Sequence, residues 1–169
     1  MYINENRSVI NDWIKSLSDG SGNQIQLDQD GMCAVAVSGD QDIVIQVNDA
    51  TSMVRLLAYV NKVTYTSNEG ILEDVMSENF QSTWLDGCQI SLCPESRRFV
   101  LAVSLPTELI DERLFSNVVG NFISVLKRCD SFILSKDTGQ NSGSAVGLEA
   151  SSVDGIADSM RQISNYIQP

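Results

Sequence analysis

The chain has 169 residues, 43% of them hydrophobic, enough for one domain with its own core and a short remainder. Its 22 acidic and 11 basic residues leave a net charge of −11, which repels phosphate backbones and anionic lipid, so neither nucleic acid nor membrane insertion is expected. No histidine occurs, which excludes serine or cysteine triads with a histidine base and removes the commonest zinc ligand.

The start, MYINENRSVINDWIKSL, has no basic n-region and no uninterrupted apolar stretch, and no later run approaches the roughly 20 apolar residues that span a bilayer. A reducing cytosol is the expected compartment. From Asn4 to Ser18, Val9, Ile10, Trp13, Ile14 and Leu17 recur three and four apart, predicting a first helix that Gly20 and Gly22 end. Leu27-Asp28-Gln29-Asp30-Gly31 then has the spaced acids and glycine of a calcium loop. With Gly31 at the sixth position of such a loop, however, Gln26 falls at the first and Val37 at the twelfth, where a bidentate glutamate is required. The stretch therefore reads as a turn leading into a strand.

Three strand-like runs follow, Cys33 to Val37, Ile43 to Val47 and Met53 to Val60, the first two joined by Ser38-Gly39-Asp40-Gln41-Asp42. They predict an antiparallel meander. In the second run Ile43, Ile45 and Val47 face one way and Val44 and Gln46 the other, making one face the more apolar. Thr66-Ser67-Asn68-Glu69 fits a capping box, and Leu72, Val75, Met76, Asn79 and Phe80 supply the face of a second helix. Cys88 to Cys93 and Phe99 to Leu105 read as two more strands around the turn Pro94 to Arg98. Pro106, Thr107, Glu108 and Asp111 suit the first turn of a third helix, whose apolar face is Leu109, Ile110, Leu114, Val118, Phe122, Val125 and Cys129.

After Ser135 the composition shifts to KDTGQNSGSAVG, a Gly/Ser-rich linker over 136–150. Its glycines at 139, 143 and 147 lack the lysine and preceding strand of a phosphate loop. Residues 151–169 form a last amphipathic segment with Ile156, Met160, Ile163 and Ile167 on one stripe, leaving 1–135 as the folded domain. The four cysteines, Cys33, Cys88, Cys93 and Cys129, contain no C-x-x-C pair, and Cys33 and Cys129 sit within apolar patterns that suit small buried thiols; no metal or cofactor is expected.

The predicted order is helix, three strands, helix, two strands, helix. It resembles that of class I type III secretion chaperones, of the CesT/SycE-like family. Leu27-Asp28 followed by Gly31 and Cys33 is similar to the family's approach to its first strand, and Ile71 to Phe80, with Asn79 near its end, looks like its second helix. Gly87 with Gln89-Ile90-Ser91-Leu92, then Phe99-Val100-Leu101-Ala102-Val103, resembles the paired late strands; the resemblance spans about residues 4–130. Glu78 and Met76 stand where the family usually has leucines, and the linker and last segment lengthen the chain.

The resemblance implies an α+β fold, a two-layer α-β-β-β-α-β-β-α arrangement with an antiparallel sheet. It implies a non-catalytic, homodimeric chaperone of the bacterial cytoplasm that binds the N-terminal segment of a type III secreted effector, with the secretion ATPase as a further partner. The family's effector contacts would fall on the first helix and the meander, on Ile10, Ile14, Val35, Val37, Ile43, Ile45 and Leu57. Its dimer contacts would fall on Leu72, Met76, Leu85, Ile90 and Leu92. Two other readings stay open: a small acidic interaction module unrelated to secretion, and a carboxylate-dependent enzyme using Glu73 and Asp74 or Asp111 and Glu112. Adjacent acids on a helix point about 100 degrees apart, which favours solvated roles for both pairs.

Overall fold

The computed structural model describes residues 3–17, 25–38, 41–65 and 69–138. Their order is α1 (Ile3–Ser16), β1 (Met32–Ser38), β2 (Gln41–Asn48), β3 (Met53–Thr64), α2 (Glu69–Gln81), β4 (Gln89–Leu92), β5 (Arg98–Pro106), a 3-10 turn (Thr107–Leu109) and α3 (Glu112–Thr138). This is the predicted α-β-β-β-α-β-β-α succession. The strands form one antiparallel sheet in the order β1-β2-β3-β5-β4, so β5 inserts between β3 and β4. The capping box begins at Thr66, outside the described residues, as do most of the 136–150 linker and all of the 151–169 segment.

The meander begins at a turn that favours glycine. Gly31 has a φ of 76°, in the left-handed region where a Cβ is disfavoured. The Asp28 carboxylate accepts hydrogen bonds from the amides of Asp30 and Met32, both at 2.9 Å, and the Gly31 carbonyl accepts one from the Val47 amide at 2.8 Å. The turn therefore fixes the register of β1 on β2, in which Cys33 lies opposite Ile45. The hairpin itself is tighter than the sequence suggests: Gln41 and Asp42 belong to β2, and Ser38 pairs with Gln41.

One face of the sheet packs against all three helices. Ile10 and Ile14 of α1, Ile71 and Val75 of α2, and Phe115, Phe122, Leu126 and Ile133 of α3 enclose Ile43, Ile45, Val54, Leu56, Phe99 and Leu101 in one core. Truncating any one of these fully buried aliphatic side chains to alanine would cost about 2–5 kcal/mol. Two helical faces differ from those read in the sequence. In α2, Ile71 and Val75 are buried while Met76 and Phe80 point outward. In α3 the first turn is not where the proline suggested: Ile110 is extended, with φ −116° and ψ 140°, and the helix restarts with the Asp111 carboxylate accepting the Leu114 amide at 2.7 Å. That break leaves Leu109 outside α3, where it faces solvent; within α3 Phe115 and Val119 face the core, and Leu114, at the margin of their stripe, is exposed.

Asn79 ties α2 to the sheet. Its Nδ2 donates to the Ile90 carbonyl at 2.7 Å, and its Oδ1 accepts the Ile90 amide at 2.9 Å. One side-chain amide thus stands where a neighbouring strand would pair with β4.

Two outcomes follow for stability. A Cβ at position 31 would lie 2.7 Å from the Val47 carbonyl oxygen, a backbone atom that cannot step aside without disturbing β2. Gly31→Ala should destabilise by about 1–3 kcal/mol, the cost of a left-handed non-glycine residue, seen as a lower urea midpoint at unchanged m. Asn79→Ala leaves the Ile90 amide and carbonyl without their partner; a loss of about 1–3 kcal/mol is expected, and Asn79→Asp, which keeps the acceptor only, should fall between. An unchanged midpoint for Asn79→Ala would show that water replaces the side chain without loss.

Candidate partner-binding site

The two edges of the sheet are not equivalent. β4 is closed at Ile90 by Asn79. On β1, the Val47-to-Gly31 bond places the hydrogen-bonded pairs of the ladder at Gly31, Cys33 and Val35, so alternation turns the backbone groups of Met32, Ala34 and Ala36 away from β2. Met32 is occupied from outside: its carbonyl accepts the Asp28 amide at 2.7 Å, and its amide donates to the Asp28 carboxylate. Ala34 and Ala36 continue that outward row along the edge.

The candidate effector residues divide by burial. Val35 and Val37, half-buried on β1, lie beside the open edge on the face that meets the helices. Ile10, Ile14, Ile43 and Ile45 are in the core beneath them, and Leu57 belongs to a separate cluster on the other face of the sheet. In the single chain these five have almost no surface to offer: Ile10 and Ile14 of α1 pack together with α3 onto the sheet face that carries Ile43 and Ile45, and Leu57 is buried on the opposite face. The residues brought together at the edge are Val35 and Val37, with Ala34 and Ala36 supplying main-chain groups. The two alanines carry no chemical signal, and only the strand order, which no local pattern encodes, marks them.

α1 is held beside this edge by polar bonds at one end of the meander. The Arg7 guanidinium pairs with Asp49 and donates to the Gln29 carbonyl at 2.9 Å, while the Asn11 side chain accepts the Leu27 amide at 2.9 Å. At its other flank Asn6 donates to the buried Thr107 hydroxyl at 3.3 Å, and Thr107 donates in turn to the Ser52 carbonyl. The helix is thereby fixed to the turn that enters β1 and to the turn between β2 and β3.

The candidate dimer residues also divide. Leu85 and Ile90 are buried within the chain, Leu72 and Leu92 are half-buried, and Met76 is 70% exposed. Phe80, one helical turn beyond Met76, is 88% exposed, so α2 presents two large apolar side chains to solvent. Neither lies in a described core cluster.

One member of each carboxylate pair is engaged structurally. Asp74 forms an ion pair with Lys136 at 2.9 Å, joining α2 to α3, and Asp111 caps α3. Burial pushes the Cys33 and Cys129 thiols up to about 12 and Cys88 up to about 11, so at neutral pH these sulfurs hold their protons and are poor nucleophiles. Among the described residues no group of three or more His, Cys, Asp or Glu could hold a metal ion, and no helix is long and apolar enough to cross a membrane.

The fold is similar to those of several solved complexes. It matches a chain of the ExsC–ExsE complex with a TM-score of 0.64 at 15% identity, over 75% of this chain and 95% of that one. It matches a chain of the HopA1–SchA chaperone–effector complex with a TM-score of 0.58 at 12% identity, over 75% and 96%. YbjN of E. coli, described as a putative transcription regulator, is also similar, with a TM-score of 0.55 at 14% identity over 79% and 92%, so this architecture is not confined to chaperones. No curated protein matches the sequence. The family described as Tir chaperone protein (CesT) matches residues 13–129, from the last turn of α1 to the buried Cys129 of α3. That span takes in the whole sheet, both of its unequal edges and the Asn79 clasp, and the chain belongs to the Tir chaperone protein (CesT) family, a family of chaperones and not of enzymes.

Proposed function

We propose that this protein is a type III secretion chaperone of the bacterial cytoplasm that binds the N-terminal segment of a secreted effector as an extended strand. It keeps that segment soluble and secretion-competent and aids its delivery to the export apparatus, with the secretion ATPase as the receiving partner. The observation that carries the reading is the β1 edge, where Ala34 and Ala36 turn their backbone groups outward while Val35 and Val37 offer half-buried apolar surface beside them. An added strand gains main-chain bonds from the first pair and seats alternate side chains over the second. Related folds solved as chaperone–effector assemblies support the class of partner. Binding of this kind needs neither metal nor nucleotide.

The protein acts as a homodimer in this reading, joined through α2. Met76 and Phe80 form an apolar pair that a lone chain leaves in water, and a two-fold contact would bury each against its symmetry mate or its neighbour.

The two surfaces are separable by mutation. Ala36→Pro removes one outward amide from an edge position, where proline is tolerated, without altering the core. It should weaken capture of the cognate effector segment by about 1–2 kcal/mol, a factor of roughly 5–30, with an unchanged unfolding midpoint. Equal affinity in calorimetric titration would remove β1 as the seat of binding. Ile14→Asp and Ile45→Asp are unsuitable probes, because each places a carboxylate in the core. For the dimer, Met76→Asp combined with Phe80→Asp should reduce the light-scattering mass from two chains to one while leaving circular dichroism intact; a mass of two chains in the variant would move the interface elsewhere.

A further inference from the structure

β1 and β2 are in register so that Ala34 lies opposite Val44 and Ala36 opposite Asp42. Cross-strand partners share a face, and these two pairs stand on the side of the sheet away from the helices, because the intervening pair of Val35 and Ile43 faces the helix-covered core. Each alanine therefore leaves the β2 side chain behind it open toward the edge. At position 36 that side chain is a carboxylate: Ala36 is exposed, Asp42 is partly exposed, and among the described residues Asp42 forms no ion pair. The two residues form a close, non-hydrogen-bonded pair, since the hydrogen-bonded positions of this ladder are Gly31, Cys33 and Val35.

We propose that Asp42 selects a lysine or arginine in the segment that pairs with β1, and that the small side chain of Ala36 lets this cation lie across the edge strand. The inference rests on the β1-edge reading above and adds the chemistry of the guest. A strand added to β1 stands two strand spacings from β2, about 9.5–10 Å. Short side chains do not cross that gap. The stems of lysine and arginine do, resting their methylenes on the Ala36 methyl and placing the charge at the Asp42 carboxylate. The register is set from the other end, where Asp28 occupies the outward groups of Met32, so the guest's pairing starts at Ala34. The guest residue opposite Ala34 lies in line with Val44 and is apolar in consequence. The recognised element is thus a basic and an apolar residue two apart on one face of an extended segment. A net charge of −11 favours the approach of such a segment and disfavours a second, equally acidic copy of this chain as the guest.

The test pans a phage-displayed library of random linear peptides on the immobilised full chain. Retained peptides should share a lysine or arginine with an aliphatic residue two positions away. Panning on Asp42→Asn should lose the basic position, and panning on Asp42→Lys should replace it with aspartate or glutamate. In calorimetric titration of a retained peptide, changing its basic residue to glutamine should weaken binding about two- to fivefold, the range of an exposed ion pair, and should change nothing in Asp42→Asn. Basic residues spread along the peptides and indifferent to Asp42→Asn would report only the net charge of the chain and overturn the proposal, as would a shared motif without a cation. Ale36-edge binding is checked with Ala36→Pro. Peptides that bind this variant as tightly as the parent sit away from β1 and remove both readings, as does a library that yields no binder. Peptides weakened by Ala36→Pro but indifferent to Asp42 leave the edge standing and remove Asp42 alone.

Discussion

A β-sheet with two ends has two rows of backbone amides and carbonyls that must find partners, and the architecture of this protein turns on giving those rows different fates. At β4 the row is closed by a side chain, Asn79, reaching from α2 with donor and acceptor in the spacing of a strand. At β1, among the described residues, it is closed where Asp28 folds back on Met32. Sheets normally protect their edges because an open edge invites unwanted pairing. Here the asymmetry separates an end that must stay closed from one that can accept a guest.

That arrangement needs α1 to hold still beside β1, and the holding is done by polar groups as much as by Ile10 and Ile14. Arg7 is central: it meets Asp49 after β2 and the carbonyl of Gln29 before β1, and its guanidinium lies over Gly31. A residue larger than glycine at that turn would press on both the arginine and the β2 backbone. The turn, the register of the first hairpin and the seat of α1 are one mechanical unit.

Much of this was legible in the sequence because periodicity reports burial directly. The alternation of Ile43, Ile45 and Val47 marked the helix-facing side of β2, the spacing of Ile10 and Ile14 marked α1, and Asp28 to Gly31 could be read as a turn once its calcium alternative failed for want of ligands. Where local patterns misled, a second constraint had intervened. Leu109 fits the face of α3 only if the helix is continuous from Pro106, and the extended Ile110 breaks it there, while Leu114 falls at the margin of the stripe that Phe115 and Val119 lead. Met76 and Phe80 have the right spacing to be core, but Ile71 and Val75 take the inward side of α2. The partner site was the least legible part. Large apolar residues were the natural candidates, yet Ile14 and Ile45 are where the core is deepest, and the outward row falls to Ala34 and Ala36, whose role follows from strand order alone.

The insertion of β5 between β3 and β4 also has a meaning in time. A ribosome delivers β1, β2 and β3 in sequence, and these can zip into a meander as soon as they emerge. β3 then waits, its long edge bare, until α2, β4 and β5 have been synthesised, an interval on the order of seconds at ordinary elongation rates. During that interval the nascent chain exposes Leu56, Leu57, Ala58 and Tyr59 on a strand lacking one neighbour, the same kind of surface it later presents at β1. The fold thus passes through a stage in which its own central strand is the unpaired one.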